Sequence, residues 1–215
     1  MTASGSAPRL TRIHPPTPGA PTAAARAVYA ELDFNSLAPQ RRPYVVVNMV
    51  ATADGQGRIG PDTAALGDAA DAALFATLRE RVDCVMAGTR TIAVESYNAP
   101  ARTPEVQQRR ARGGLARRPS IATITRSGNL PTQAPLFSDP ELEVIVATSG
   151  TLDLEAVAAR VERIESTEPA QVLRALRERF GVRSLLLEGG PTLNRGFFAE
   201  ELVDELFLTI APLLT

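Results

Sequence analysis

The residues best placed to do chemistry are carboxylates, glycines and hydroxyl side chains that directly follow apolar runs. Near the C-terminal end, the apolar residues 185–187 are followed by Glu188, two glycines and Pro191. Glycine lets a backbone approach a ligand closely, and proline is favoured at the first position of a helix. The N–H groups at a helix start attract anions such as phosphate. Residues 185–198 therefore predict a strand, a ligand-binding turn and a helix, although a glycine-rich turn that serves packing alone has the same pattern.

The same arrangement, an apolar run followed by small or polar residues, recurs along the chain. Residues 44–51 form a largely apolar run rich in β-branched valine that leads into an Asp-Gly turn, and residues 83–87 lead into Gly-Thr-Arg-Thr. Such runs are typical of buried parallel strands, whose carboxyl ends meet at one edge of a sheet and border the ligand crevice. We therefore expect one nucleotide-type crevice to be lined by Asp54, Thr91, Ser127, Thr148 and residues 188–190.

These elements predict an α/β fold with a mostly parallel central sheet and helices on both of its faces, in three layers. Asp68 is placed to cap a helix, and Gly181 is placed to end one. Further strands are predicted at residues 120–125, 142–147, 161–164 and 203–211, and helices at residues 23–32, 68–81, 90–96, 153–159 and 170–180.

One arginine-rich stretch, residues 105–118, allows two interpretations. Its five arginines are typical of a nucleic-acid-binding arm, or of a solvated loop. No aromatic residues are interleaved with the arginines for stacking on bases, and the whole chain is not basic. We therefore expect a mobile, solvated loop and no nucleic-acid partner.

The composition excludes several function classes. The chain has 23 basic and 24 acidic residues, and because lysine is absent, Schiff-base chemistry and a Walker A lysine are excluded. With only one cysteine, Cys84, the chain cannot form an internal disulfide. With only one histidine, His14, which lies in the proline-rich leader, a histidine-based triad and a histidine-rich metal site are not expected. No apolar run reaches about 18 residues, the length of a membrane span. A cytoplasmic protein without a metal or a membrane partner is expected.

The N-terminal 40 residues differ in composition from the rest. They are rich in proline, alanine, threonine and serine, and four prolines lie within residues 15–21. Proline interrupts helices and central strands, so we expect residues 1–40 to form a partly irregular arm and residues 41–215 to form the functional domain.

Four motifs occur in a specific order: residues 48–55, residues 78–91, Thr-Arg-Ser-Gly at 125–128 and Glu-Gly-Gly-Pro-Thr-Leu at 188–193. In this order they resemble the reductase domain of riboflavin biosynthesis, the C-terminal half of the bifunctional deaminase-reductase, over about residues 42–215. The resemblance implies a dihydrofolate reductase-like fold and a homodimer. It also implies an NADPH-dependent oxidoreductase that reduces 5-amino-6-(5-phosphoribosylamino)uracil to the ribitylamino product.

The resemblance also assigns roles to individual residues. Asp54, beside the nicotinamide, and Glu188, which contacts the substrate, are the candidate catalytic residues. Arg79 and Arg102 correspond to arginines that hold the substrate phosphate, and Glu188 is again a substrate contact. The NADPH-binding residues are Ala51, Thr91, Glu95, Arg126, Ser127, Gly189, Gly190, Pro191, Thr192 and Leu193.

Two departures from the family pattern qualify the resemblance. The H-x-E and C-x-x-C motifs of zinc deaminases do not occur in the sequence, so no deamination is expected. The family domain continues with further strands beyond the position of Thr215, and these are expected to be missing. The substrate could also be a dihydrofolate or another pterin, and a non-catalytic nucleotide-binding regulatory protein is a third possibility.

Overall fold

A computed structural model of the chain describes residues 9–10, 23–57, 59 and 66–215. Two short 3-10 helices span Phe34–Leu37 and Pro135–Ser138. The strands are β1 (Arg9–Leu10), β2 (Ala23–Ala24), β3 (Tyr44–Thr52), β4 (Cys84–Met86), β5 (Ser120–Ile124), β6 (Glu143–Ala147), β7 (Arg160–Ile164), β8 (Ser184–Leu187) and β9 (Glu205–Ala211). The helices are α1 (Ala25–Val28), α2 (Ala69–Glu80), α3 (Thr89–Val94), α4 (Pro104–Arg112), α5 (Pro169–Phe180) and α6 (Pro191–Ala199).

Seven strands form the central sheet, in the order β7-β6-β5-β4-β8-β3-β9. The pairings β3–β8, β8–β4, β4–β5, β5–β6 and β6–β7 are all parallel. A parallel neighbour requires a crossover connection. An α-helix lies in the connections from β3 to β4, β4 to β5 and β7 to β8, whereas residues 148–159 join β6 to β7 without a helix. The predicted α/β fold with a mostly parallel sheet is therefore confirmed.

The described residues group into two compact units, one from those within 1–32, 50–78 and 209–215 and the other from residues 33–49 and 79–208. In the first unit, β1 and β2 pair antiparallel. The Ala53 N–H donates to the carbonyl of Leu213 at 3.0 Å in the same unit. The second unit contains the main apolar core, in which all four residues of β8 are buried.

Local signals explain where the helices begin and end. Asp68 accepts hydrogen bonds from the N–H groups of Ala70 and Asp71, both at 2.8 Å, as expected of a helix cap. Gly181 ends α5 in the left-handed conformation, with φ of 67°. The predicted helices at 68–81 and 170–180 are therefore confirmed.

The prediction of a mobile loop at residues 105–118 is wrong, because residues 104–112 form α4. Thr103 caps this helix and Pro104 occupies its first turn. Arg110 is only 1% exposed and donates to the carbonyls of Ala116, Arg79 and Val82 at 2.8–3.0 Å. The arginine-rich composition concealed the helix, because one of its arginines replaces an apolar residue on the buried side.

Two predicted helices are also wrong. Residues 153–159 contain a turn but no helix, because the N–H groups of Ala158 and Ala159 both donate to the carbonyl of Phe137. The helix predicted at 23–32 is reduced to α1, since residues 23–24 extend into β2.

Several expectations fall on residues that the structure does not describe. His14 and the proline-rich stretch at 15–21 lie outside the described residues, and so does most of the segment between Gly57 and Leu66. In the part of the chain that is described, none of the helices is long and apolar enough to cross a membrane.

Candidate active site

The turns that follow β4 and β8 contact each other through their backbones. The Gly88 N–H donates to the Gly189 carbonyl at 3.0 Å. A Cβ atom added to Gly190 would lie 3.6 Å from the Gly88 Cα and 3.4 Å from the Thr91 Oγ1. Gly190 has φ of 91°, a conformation that side-chain-bearing residues rarely adopt. Two neighbouring parallel strands therefore end in turns that lie in contact with each other, and the backbone conformation of one of them favours glycine.

Gly190 is also the residue that starts α6. No side chain caps this helix, Pro191 occupies its first turn, and the Asn194 N–H makes a 3.0 Å bond to the Gly190 carbonyl. The N–H groups of Thr192 and Leu193 therefore lie at the open end of the helix, where an anion is favoured. This confirms the predicted strand, turn and helix, and the turn is suited to hold a phosphate group.

The turns after β5 and β6 form a second close approach. A Cβ atom added to Gly128 would lie 2.1 Å from the Thr151 carbonyl oxygen, and one added to Gly150 would lie 2.3 Å from the Ser127 carbonyl oxygen. Arg126 and Ser127 are exposed on this turn. Their guanidinium and hydroxyl groups are the donors that a phosphate requires.

A cluster of charged side chains adjoins the glycines of β8. Arg79 donates from Nε and Nη2 to the two carboxylate oxygens of Glu188, each at 2.6 Å. The Tyr97 hydroxyl donates to Glu188 Oε2 and accepts from Arg79 Nη2 at 3.1 Å. The Glu188 side chain is 1% exposed and that of Arg79 is 28% exposed. Arg79 is therefore the charged member of the cluster that reaches solvent.

Burial and pairing act in opposite directions on these charges. Burial raises the pKa of Glu188, and the charge of Arg79 only partly offsets that effect. For Arg79, burial works to lower the pKa, but the charge of Glu188 and their hydrogen bonds together raise it. The guanidinium is thus held in its charged form, which favours binding of an anion beside it.

Arg110 hydrogen-bonds to the backbone of α2 at Arg79. Its Nη1 donates to the Arg79 carbonyl at 3.0 Å and to the Val82 carbonyl at 2.8 Å. Beside it on α4, Arg109 forms a two-bond salt bridge with Glu80, at 2.9 and 3.0 Å. The C-terminal end of α2 is therefore capped by Arg110 from α4, and Arg109 holds the Glu80 side chain beside it.

Asp54 lies in the other compact unit, exposed on the turn after β3. Its Oδ1 accepts from the Thr52 hydroxyl at 2.5 Å, and its Oδ2 accepts from the N–H and hydroxyl of Thr215 at 3.2 and 3.1 Å. The hydrogen bond from Thr52 is the main cause that lowers the pKa of Asp54, and the bonds from Thr215 add to it. Asp54 is therefore ionised at neutral pH and accepts hydrogen bonds.

The remaining predicted residues differ in their surroundings. Glu95 follows α3 and is exposed, Arg102 makes one long hydrogen bond of 3.4 Å to Asn98, and Ala51 lies half-buried in β3. Among the predicted residues of the second unit, the structure brings together Thr91 with Gly190 and Leu193, and Arg79 with Glu188.

Sequence reasoning missed three contributors to this region. The motifs give no site role to Gly88 or Tyr97, and the arginine-rich composition predicts a solvated loop at Arg110. The available signal for Tyr97 was a large aromatic residue in an otherwise polar segment, which indicates a buried contact. No local signal predicts Arg110, because its partners are backbone carbonyls.

Comparisons with known proteins agree with this architecture. A sequence model of the family described as the RibD C-terminal domain matches residues 43–215. The chain is 28% identical, over 80% of its length and 81% of the relative's, to a protein of Archaeoglobus fulgidus named 2,5-diamino-6-ribosylamino-4(3H)-pyrimidinone 5′-phosphate reductase. It is 26% identical to the riboflavin biosynthesis protein RibD of Mycobacterium tuberculosis, over 80% of this chain but only 43% of that protein.

Solved structures show the same fold. A pyrimidine reductase-like protein from Corynebacterium diphtheriae superposes with a TM-score of 0.70 and 22% identity, over 89% of this chain and 82% of that one. The fold is thus the dihydrofolate reductase-like α/β fold predicted from the motifs.

Proposed function

The chain belongs to the RibD C-terminal domain family, and from this premise we propose that it reduces a phosphorylated ribosylaminopyrimidine in riboflavin biosynthesis. One observation carries the proposal: the anion-binding turn at Gly190 and the charge cluster at Glu188 lie two residues apart at the end of one strand. A cofactor turn and a substrate-binding charge are thereby supplied by the same segment.

The substrate class follows from the relatives. The Archaeoglobus protein is named for a 2,5-diamino-pyrimidinone 5′-phosphate, and this chain covers 81% of that relative. We therefore propose this compound as the first candidate substrate, with 5-amino-6-(5-phosphoribosylamino)uracil as the second. The two differ at a single exocyclic position of the ring, where an amino group replaces an oxygen.

A reductase of this family requires a nicotinamide cofactor, and NADPH is our specific proposal. The residues present fit such a group, since Gly88 and Gly190 form a cradle that a Cβ atom would fill, beside an uncapped helix start. Gly189, Gly190, Pro191, Thr192 and Leu193 would hold the pyrophosphate, with the Thr91 hydroxyl close to Gly190. Glu95 and Ala51 stay as further predicted cofactor contacts. Arg126 and Ser127 would hold the 2′-phosphate that distinguishes NADPH from NADH.

When bound, the reduced nicotinamide supplies the hydride. The residues of this chain bind and orient the substrate and control its ionisable groups. Arg79, held in one orientation by Glu188, binds an anionic group, and Arg102 contributes a second positive charge. Asp54, with its lowered pKa, acts as an orienting acceptor at Oδ1 and Oδ2, because an ionised carboxylate has no proton to donate.

A substrate-panel assay tests the proposal. The purified chain is given NADPH or NADH with each of the two pyrimidines or with dihydrofolate, and loss of the reduced nicotinamide absorbance is followed. We expect turnover with a pyrimidine and NADPH. Turnover of dihydrofolate alone would make the chain a pterin reductase, and tight NADPH binding without any turnover would make it a non-catalytic binding protein.

The cofactor turn has its own test in Gly190→Val. Valine at φ of 91° is strained, and its side chain would project into the approach to the helix start. We expect the variant to fold but to lose NADPH affinity by at least about 10-fold, the equivalent of about one charge-assisted hydrogen bond. Near-normal affinity in a folded variant would contradict the assigned turn. A homodimer belongs to the same proposal and rests on the resemblance, whereas a cytoplasmic location stays an expectation from the composition.

A further inference from the structure

Tyr97 is a buried aromatic residue in an exposed loop. It is 6% exposed, whereas Glu95, Ser96 and Asn98 around it are all exposed. The loop joins α3 to α4, and none of the residue assignments above uses it. Its burial therefore requires an explanation from its own contacts.

The backbone holds Tyr97 in one place from both sides. Its N–H donates to the Ile92 carbonyl and its carbonyl accepts from the Leu136 N–H, both at 3.1 Å. Ser96 before it has φ of 44° and Ala101 after it has φ of 55°, in the left-handed region that residues other than glycine rarely occupy. Such strain persists where surrounding contacts fix the chain, and it concentrates at functional sites.

The side chain of Tyr97 contacts both members of the ion pair at once. Its hydroxyl donates to Glu188 Oε2 and accepts from Arg79 Nη2 at 3.1 Å. The ring lies against the same guanidinium, with 5.2 Å between the ring centroid and Arg79 Cζ. A phenylalanine would fill the same space, so the hydroxyl adds contacts that packing alone does not require.

We propose that Tyr97 is a positioning residue, which fixes the Arg79–Glu188 pair so that the guanidinium binds the substrate's anionic group in one orientation. The proposal rests on the function proposed above. Glu188 holds the guanidinium by two bonds on one edge, and rotation of the glutamate side chain would carry the guanidinium with it. The Tyr97 hydroxyl ties that carboxylate to a loop whose backbone is fixed.

The first test is kinetic and uses Tyr97→Phe. This variant keeps the ring and removes the hydroxyl, so we expect the KM for the phosphorylated pyrimidine to rise about 10-fold, with kcat and the KM for NADPH within about 2-fold. The matched control is Tyr44→Phe, which removes a hydroxyl 3.4 Å from the Glu205 carboxylate elsewhere in the same unit. It should leave all three constants unchanged.

The second test needs no substrate. Hydrogen exchange of the Arg79 Nε–H is measured by nitrogen-15 NMR, with the signal assigned by its absence in Arg79→Lys. We expect the exchange to be about 10-fold faster in Tyr97→Phe than in the natural chain or in Tyr44→Phe, because a guanidinium that moves exposes its N–H groups more often.

The two tests separate this inference from the proposed function. If the natural chain reduces neither pyrimidine, the proposed function fails, while faster exchange in Tyr97→Phe would still support the positioning of Arg79. Exchange equal to that in Tyr44→Phe would overturn the inference. Faster exchange together with an unchanged KM in an active enzyme would also overturn it, since the hydroxyl would then have a structural effect alone.

Discussion

Two arginines of this chain, Arg79 and Arg110, are shielded from solvent by different kinds of partner. Arg79 meets a carboxylate, which accepts two bonds from its guanidinium at 2.6 Å. Arg110, more deeply buried, meets the carbonyls of Ala116, Arg79 and Val82 at 2.8–3.0 Å. Its Nη2 atom has no hydrogen-bond partner among the described residues. One guanidinium is neutralised by an opposite charge, and the other is solvated by backbone dipoles.

The difference appears in the ionisation of the two side chains. The charge of Glu188 and its hydrogen bonds outweigh burial and raise the pKa of Arg79. Burial dominates at Arg110 and lowers its pKa to about 10, although the charges of Asp83 and Glu80 oppose the shift. A carboxylate partner suits a residue that meets a ligand, because it fixes the guanidinium firmly. Carbonyl partners suit a residue that caps a helix end.

The largest effect is expected from Arg79→Ala. Removing one partner of a buried ion pair leaves the Glu188 carboxylate uncompensated, so we expect a loss of about 3 kcal/mol in the free energy of unfolding. The KM for the phosphorylated substrate should also rise by about 10-fold or more, while that for NADPH changes little. Urea unfolding and steady-state kinetics measure the two effects.

A double variant sharpens this result. In Arg79→Ala with Glu188→Gln, the buried charge is removed together with its partner, and most of the lost stability should return. Equal stability of the single and double variants would mean that Glu188 is not ionised when Arg79 is absent.

The next largest effect is expected from Arg110→Ala. The variant removes the Arg110 hydrogen bonds to three carbonyls but also removes a charge that is costly to bury, so a loss of about 2 kcal/mol is expected. Arg112→Ala, on the same helix but exposed, is the control and should change stability by less than about 0.5 kcal/mol. If the two variants unfold at the same urea concentration, the helix cap at the end of α2 contributes nothing.

The pH dependence of stability gives a further contrast. Burial raises the pKa of Glu188 above the ordinary 4.5, so the folded chain holds this proton more tightly than the unfolded chain. The free energy of unfolding should then fall as pH rises from 4.5 through the raised pKa. Between the pKa of the unfolded chain and that of the folded chain, the slope should approach about 1.4 kcal/mol per pH unit. Glu188→Gln should remove this component. An identical pH profile in the variant would contradict a raised pKa.

The smallest effect on stability is expected from Arg102→Ala. Arg102 is exposed and makes one 3.4 Å hydrogen bond to Asn98, so the unfolding free energy should change by less than about 0.5 kcal/mol. Its predicted role is in substrate binding, where the KM for the phosphorylated pyrimidine should rise by several-fold. An unchanged KM would remove Arg102 from the site and leave Arg79 as its phosphate-binding arginine.

The features that were predicted correctly from the sequence are those that a few neighbouring residues determine. The glycines and proline after β8 determine a turn and a helix start, and Asp68 and Gly181 mark helix ends through their own backbone preferences. Continuous apolar runs predicted the central strands, because strands buried on both faces have no polar alternation. The order of these elements was sufficient for the fold class.

What the sequence did not predict depends on distant partners. Arg79 and Glu188 are 109 residues apart, so only the folded chain shows that they neutralise each other. Arg110 conceals a helix, since a buried arginine breaks the apolar stripe by which helices are recognised. Tyr97 is positioned by a loop with left-handed residues at Ser96 and Ala101, which neither residue type predicts.

The contact between the turns at Gly128 and Gly150 limits how this sequence can diverge. Any side chain at either position would collide with a backbone carbonyl of the other turn. Because the colliding atoms belong to the main chain, no substitution elsewhere can make room by shortening a side chain. In a library of single and paired substitutions selected for folding, both positions should remain glycine in every survivor. Gly57, which has no atom within 4 Å of an added Cβ, should accept most residues in the same library.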